Sequence, residues 1–90
     1  MKIRSHTFRG KRWLIRFVEK ADEWGSCEEP TGVDKTMFLS PKLKRLDALD
    51  TTIHESLHAC FWDIDEEVVE KAASDIARFL WRLGYRRCDT

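Results

Sequence analysis

Five consecutive residues, His54-Glu55-Ser56-Leu57-His58, place two imidazoles four positions apart with a carboxylate next to the first. On a helix that spacing puts both rings on one face, one turn above the other, where they can reach a single metal ion. Glu55 then stands beside the pair, placed to hold a water and take its proton as a nucleophile forms. The pattern points to hydrolysis at a Zn²⁺ centre, with His54 and His58 as ligands and Glu55 as general base.

A catalytic zinc takes a third protein ligand and keeps one position open. No histidine follows His58, and Phe61 and Ile64 stand where a three-histidine pattern needs Gly and His. The third ligand should therefore be a carboxylate, and Glu66, Glu67, Glu70 and Asp75 follow in the next apolar-periodic segment. If the two segments form a hairpin turning near residues 62–63, His58 lies about 7 Å from the turn, His54 about 13 Å and Glu70 about 11 Å. That level selects Glu70, with Asp75 as its rival. Glu66 falls too close to the turn, in first-turn positions where a carboxylate ordinarily pairs with the helix dipole. Ala73 and Ala77, further along the Glu70 side, would let the helices approach closely.

The elements that must carry these residues are legible in the periodicity. Leu43, Leu46, Leu49, Ile53, Leu57 and Cys60 recur at three- and four-residue steps, predicting a helix that begins near Ser40-Pro41 or near Asp47. Asp65 reads as the N-cap of a second helix, with Glu66 and Glu67 suited to its N-terminus. Val69, Ala72, Ala73, Ile76, Phe79, Leu80 and Leu83 form its apolar face, and Gly84 ends it. Upstream, Trp13, Ile15 and Phe17 alternate with Leu14, Arg16 and Val18 as in a strand with one covered face. Thr36–Leu39 reads as another strand, and Ala21–Asp34, with Gly25, Ser26, Pro30 and Gly32, as a turn-rich connection. The fold class is α+β: one domain over residues 1–90, with a small antiparallel or mixed N-terminal sheet packed on two C-terminal helices.

His54-Glu55-x-x-His58 followed by a glutamate-bearing helix resembles the zincin fold of the gluzincin metallopeptidases. Glu70-x-x-Ala73-Ser74-x-Ile76-Ala77-x-x-Leu80 is similar to the glutamate-helix pattern of ImmA/IrrE-type metallopeptidases, with Ser74 in place of Asn and Ile76 in place of Phe. Over residues 35–85 the chain looks like small phage-encoded proteins with a minimal zincin core. The resemblance implies a zinc endopeptidase with a protein or peptide substrate. It also implies a sheet-edge strand before the motif helix on which an extended substrate lies; Thr36, Met37, Phe38 and Leu39 are the candidates.

Such a site needs a donor for the oxyanion of the tetrahedral intermediate. Tyr85, Arg82 and Arg86 are the candidate phenol and guanidinium groups. His6 and the four tryptophans, Trp13, Trp24, Trp62 and Trp81, read as solvated and as core or rim respectively.

Sixteen basic and sixteen acidic residues cancel to zero, which counts against a dedicated nucleic-acid binder. The cancellation hides segregation. Residues 1–20 hold seven Lys/Arg against Glu19, whereas residues 47–75 hold nine acids against Lys71. A basic segment Met1–Lys20 with Trp13 and Phe17 leaves a nucleic-acid-associated factor as one alternative. A metal-binding module that engages a partner protein without catalysis is the other. No apolar run approaches a membrane span, and Cys27, Cys60 and Cys88 form neither a CxxC pair nor a disulfide framework, so a cytoplasmic setting is expected.

Overall fold

The structure, a computed structural model, describes residues 3–18, 25–27 and 35–86. Trp24, Cys88 and most of the Ala21–Asp34 connection lie outside the described residues. The chain runs β1 (Ser5–Phe8), β2 (Lys11–Phe17), β3 (Gly25–Cys27), β4 (Thr36–Leu39), α1 (Arg45–Cys60) and α2 (Glu66–Arg82). It is the α+β arrangement expected, a small mixed sheet followed by two helices.

β1 and β2 form a hairpin whose two-residue turn, Arg9 and Gly10, has φ of 49° and 77°. Positive φ at both positions is what matches a tight hairpin to strand twist. β2 runs parallel to β4, with Ile15 opposite Met37 and Phe17 opposite Leu39. β3 returns antiparallel to β4, giving the order β1-β2-β4-β3. Thr36–Leu39 is therefore an interior strand, flanked on both sides, and not the sheet edge that the resemblance implied. The edge on that side is β3, a three-residue strand inside the segment expected to be connection only.

The alternation in β2 does what its period requires. Trp13 and Ile15 are buried on the helix side, joined by Met37, Leu39 and Ala59 of α1, with Phe8 and Phe17 packed around them. Arg12, Leu14 and Arg16 point the other way into solvent. α1 lies against the sheet, touching β1, β3 and β4, and α2 packs on the far side of α1. Only α1 of the two helices meets the sheet among the described residues.

Helix boundaries follow local chemistry. Asp65 caps α2 by accepting the Glu67 backbone N–H at 3.3 Å. At the other end Tyr85 N–H reaches Leu80 O and Gly84 N–H reaches Trp81 O, each at 3.0 Å, a pairing that needs Gly84 at its φ of 99°. α1 starts at Arg45, between the two expected boundaries, with no side-chain cap from Lys44. No helix among the described residues is long and apolar enough to cross a membrane.

Candidate metal centre

α1 carries His54 and His58 on one face, their Nε2 atoms 3.1 Å apart and their side chains 20% and 15% exposed. The carboxylate that meets them is Glu66. Its Oε1 lies 2.8 Å from His54 Nε2 and its Oε2 lies 2.6 Å from His58 Nε2. Three nitrogen and oxygen donors thus converge within 4.8 Å of one another from the last two turns of α1 and the first residue of α2. Two imidazoles and a carboxylate are the donor set of a three-ligand zinc site with an open position, so the residues present fit the ion.

Glu70 does not join this group. It is exposed one turn further along α2, while Asp75 is exposed and pairs with Arg78 at 2.8 Å. The expectation of Glu70 rests on height along an antiparallel hairpin, and the observed place of the first turn of α2 overturns it. Val69, Ala73 and Ala77 are the α2 residues buried at the helix interface. Glu66 stands three before Val69 and seven before Ala73, and Glu70 three before Ala73 and seven before Ala77, so helical phase puts both near that face. Level along the axis separates them: Glu66 opens α2 and its carboxylate meets both histidines. The five-residue link Phe61–Asp65 brings the first turn of α2 beside the histidines, and the long glutamate side chain covers the remaining difference in height.

Glu55 differs from its neighbours in being buried, at 6% exposure, on the sheet side of α1. Gly25 of β3 is the reason it can be there. A Cβ at that position would stand 2.8 Å from Thr51 Cγ2, 3.1 Å from Glu55 Cγ and 3.2 Å from Phe38 O. The missing side chain lets the sheet edge close directly on the Glu55 stem. Gly25→Ala is expected to cost about 1–3 kcal/mol by overpacking, measured by urea unfolding. Thr51→Ala in the same chain should return part of the loss, because it removes the nearest clashing atom.

His54, Glu55, His58 and Glu66 line an open cleft of about 510 Å³ together with Gly25, Trp62 and Ile64. Trp62 sets its ring edge-on to His58, centroids 6.2 Å apart, and with Ile64 gives the cleft an apolar wall. Gly25, Trp62 and Ile64 are site residues that the sequence does not place there, and Glu66 is a candidate that it ranks below Glu70. Nothing local in the sequence signals Gly25.

The expected oxyanion donors are elsewhere. Arg82, Tyr85 and Arg86 sit at or beyond the C-terminal end of α2, the helix that starts at Glu66, about 24 Å of helix rise away. Arg86 stacks its guanidinium 3.3 Å over the Trp81 ring and donates to the carbonyls of Trp81 and Tyr85. The Arg86 side chain and the Tyr85 backbone N–H thus serve the end of the helix. His6 is exposed and sets its ring against Phe8, apart from the cleft.

Comparison with protein-family models, curated proteins and solved structures finds no match to this chain.

Proposed function

We propose that the protein is a zinc-dependent peptidase of minimal zincin type, with His54, His58 and Glu66 as metal ligands and Glu55 as general base. The observation that carries the reading is the convergence of two imidazole nitrogens and one carboxylate in an open cleft beside a buried glutamate. When bound, the ion supplies Lewis acidity toward a peptide carbonyl and makes a neighbouring water more acidic. Glu55 takes the proton from the attacking water and delivers it to the departing amine nitrogen as the C–N bond breaks. Burial fixes its carboxylate near the reacting atoms, and Gly25 fixes its stem.

β3 replaces Thr36–Leu39 as the strand that receives substrate in this reading. It is antiparallel to β4, it ends the sheet among the described residues, and its Gly25 lies in the cleft wall. An extended peptide can add, by backbone hydrogen bonds, to the edge that β3 leaves open among the described residues, with an apolar side chain against Trp62 and Ile64. The spread of three cysteines without a disulfide framework supports a cytoplasmic setting.

The test is cleavage of an unfolded protein or a mixed peptide library by zinc-loaded protein, with and without a chelator. Cleavage that stops on chelation and returns with zinc is expected. Zinc bound at one ion per chain with no cleavage of any peptide would replace the enzyme with a metal-dependent binding module.

A further inference from the structure

The helix α2 is apolar over about half its circumference, and α1 covers only half of that arc. Val69, Ala73 and Ala77 are 0–2% exposed against α1. Val68, Ala72, Ile76, Phe79 and Leu83 occupy the adjoining arc, about 80° wide at 3.6 residues per turn. Of these, Val68, Phe79 and Leu83 are 56%, 62% and 59% exposed, and Ile76 is 40% exposed. Among the described residues α2 touches no element except α1. Lone exposed apolar residues are ordinary, but four on one stripe along four turns, with the half-buried Ala72 between them, form a contiguous patch that calls for a partner.

We infer that this stripe is a self-association surface, on which a second copy of the chain packs with its α2 antiparallel to the first. The order of side chains is self-complementary only in that direction. About a two-fold axis between Asp75 and Ile76, Val68 of one copy lies opposite Leu83 of the other, and Ala72 opposite Phe79. The largest side chain of the stripe meets the smallest, and Ile76 packs beside the axis. Steps of four, four, three and four residues are those of a seam between two helices.

Charge points the same way. The flank of the stripe away from α1 carries Glu67, Lys71, Asp75, Arg78 and Arg82. In the antiparallel register Arg82 of one copy comes within two residues, about 3 Å along the axis, of Glu67 of the other, and Arg78 equally close to Asp75. Helix dipoles also oppose favourably. A parallel pair would set the acidic first turns side by side and the basic last turns side by side. The surface is one helix face, below the usual ~800 Å² per partner, so the dimer is weak, with a Kd on the order of 1–100 μM.

This inference does not depend on the metal site, and sedimentation equilibrium on the full chain tests it. The apparent mass is expected to rise from 10.7 kDa toward twice that value as concentration passes from about 1 μM to 1 mM. Phe79→Glu should raise the dissociation constant at least about 30-fold while leaving thermal unfolding of the dilute monomer unchanged, because Phe79 is already exposed. Arg82→Glu should weaken the dimer, and Glu67→Arg added to it should restore association. A chain that stays monomeric throughout overturns the inference, even if its stripe then binds detergent micelles or another protein. A dimer indifferent to Phe79→Glu or to Arg82→Glu overturns it as well.

Discussion

Protein carrying Glu55→Gln is expected to bind zinc as tightly as wild type and to hydrolyse peptides about 10²–10⁴-fold more slowly. The two side chains have the same shape, and at 6% exposure the glutamine amide is held where the carboxylate was, with Gly25 still against its stem. What is lost is the ability to accept a proton from water. Glu55 is not one of the three converging donors, so the ligand set is untouched. The comparison requires kcat/KM on a fluorogenic peptide alongside metal content of the same sample. Loss of zinc in the variant would mean that Glu55 is a ligand. Full activity would mean that the proton is taken elsewhere.

The second large effect separates two carboxylates one helical turn apart. Glu66→Ala should lower zinc affinity by more than the roughly 10–100-fold that losing a mere supporting contact costs, because it removes a donor from the ion itself. Glu70→Ala should leave affinity within about twofold, since an exposed glutamate outside the cluster meets the ion only through screened charge. Competition titration against a chromophoric chelator measures both. Far-UV circular dichroism provides the control on folding, and Asp65, which caps the helix beside Glu66, stays in place in both variants. Equal losses would point to a general electrostatic attraction between zinc and the acidic block. A loss at Glu70 alone would restore the arrangement that hairpin height suggested.

Which parts of this molecule can be read from its sequence depends on the range of the interactions involved. The pairing of His54 with His58 is a matter of helical spacing alone, and their nitrogens do lie together. Asp65 and Gly84 act through backbone groups within five residues, so both helix ends of α2 were legible. The alternation of Trp13, Ile15 and Phe17 was equally plain because each residue answers to its own strand's two faces. β3 was not legible. It is three residues long, begins with glycine, and exists as a strand only because β4 supplies partners ten to fourteen residues later in the chain. For the same reason Thr36–Leu39 could be recognised as a strand without revealing that it lies inside the sheet. Glu66 is among the candidate carboxylates in the sequence, but the level at which α2 begins beside α1 depends on how the link Phe61–Asp65 folds, which rise per residue alone does not give. The apolar face of α2 reads as one stripe from Val69 to Leu83, and only packing divides it into a half that α1 buries and a half left in solvent.

The charge segregation noted in the sequence acquires a partial structural meaning. Of the acidic block, Glu66 stands with the histidines, Glu55 is buried beside them, and Asp65 caps α2. Within one chain Glu67 and Asp75 pair with Lys71 and Arg78, exposed on both sides and worth little to stability, which leaves both carboxylates able to exchange partners at an interface. Arg9, from the basic N-terminal segment, reaches across to α1, donating to Cys60 O at 3.0 Å and lying 5.5 Å from the Phe61 ring centroid. It braces the C-terminal turn of the helix that carries both histidines, where a cation also favours the helix dipole.

The most direct measurement is the position of zinc in a crystal of the loaded protein, located by anomalous scattering. The expected result is one ion bonded to His54 Nε2, His58 Nε2 and the Glu66 carboxylate at about 2.0–2.2 Å, with Glu55 outside the ligand set. An ion held by Glu70 or Glu55 in place of Glu66, or no ion at the histidine pair after loading, would contradict it.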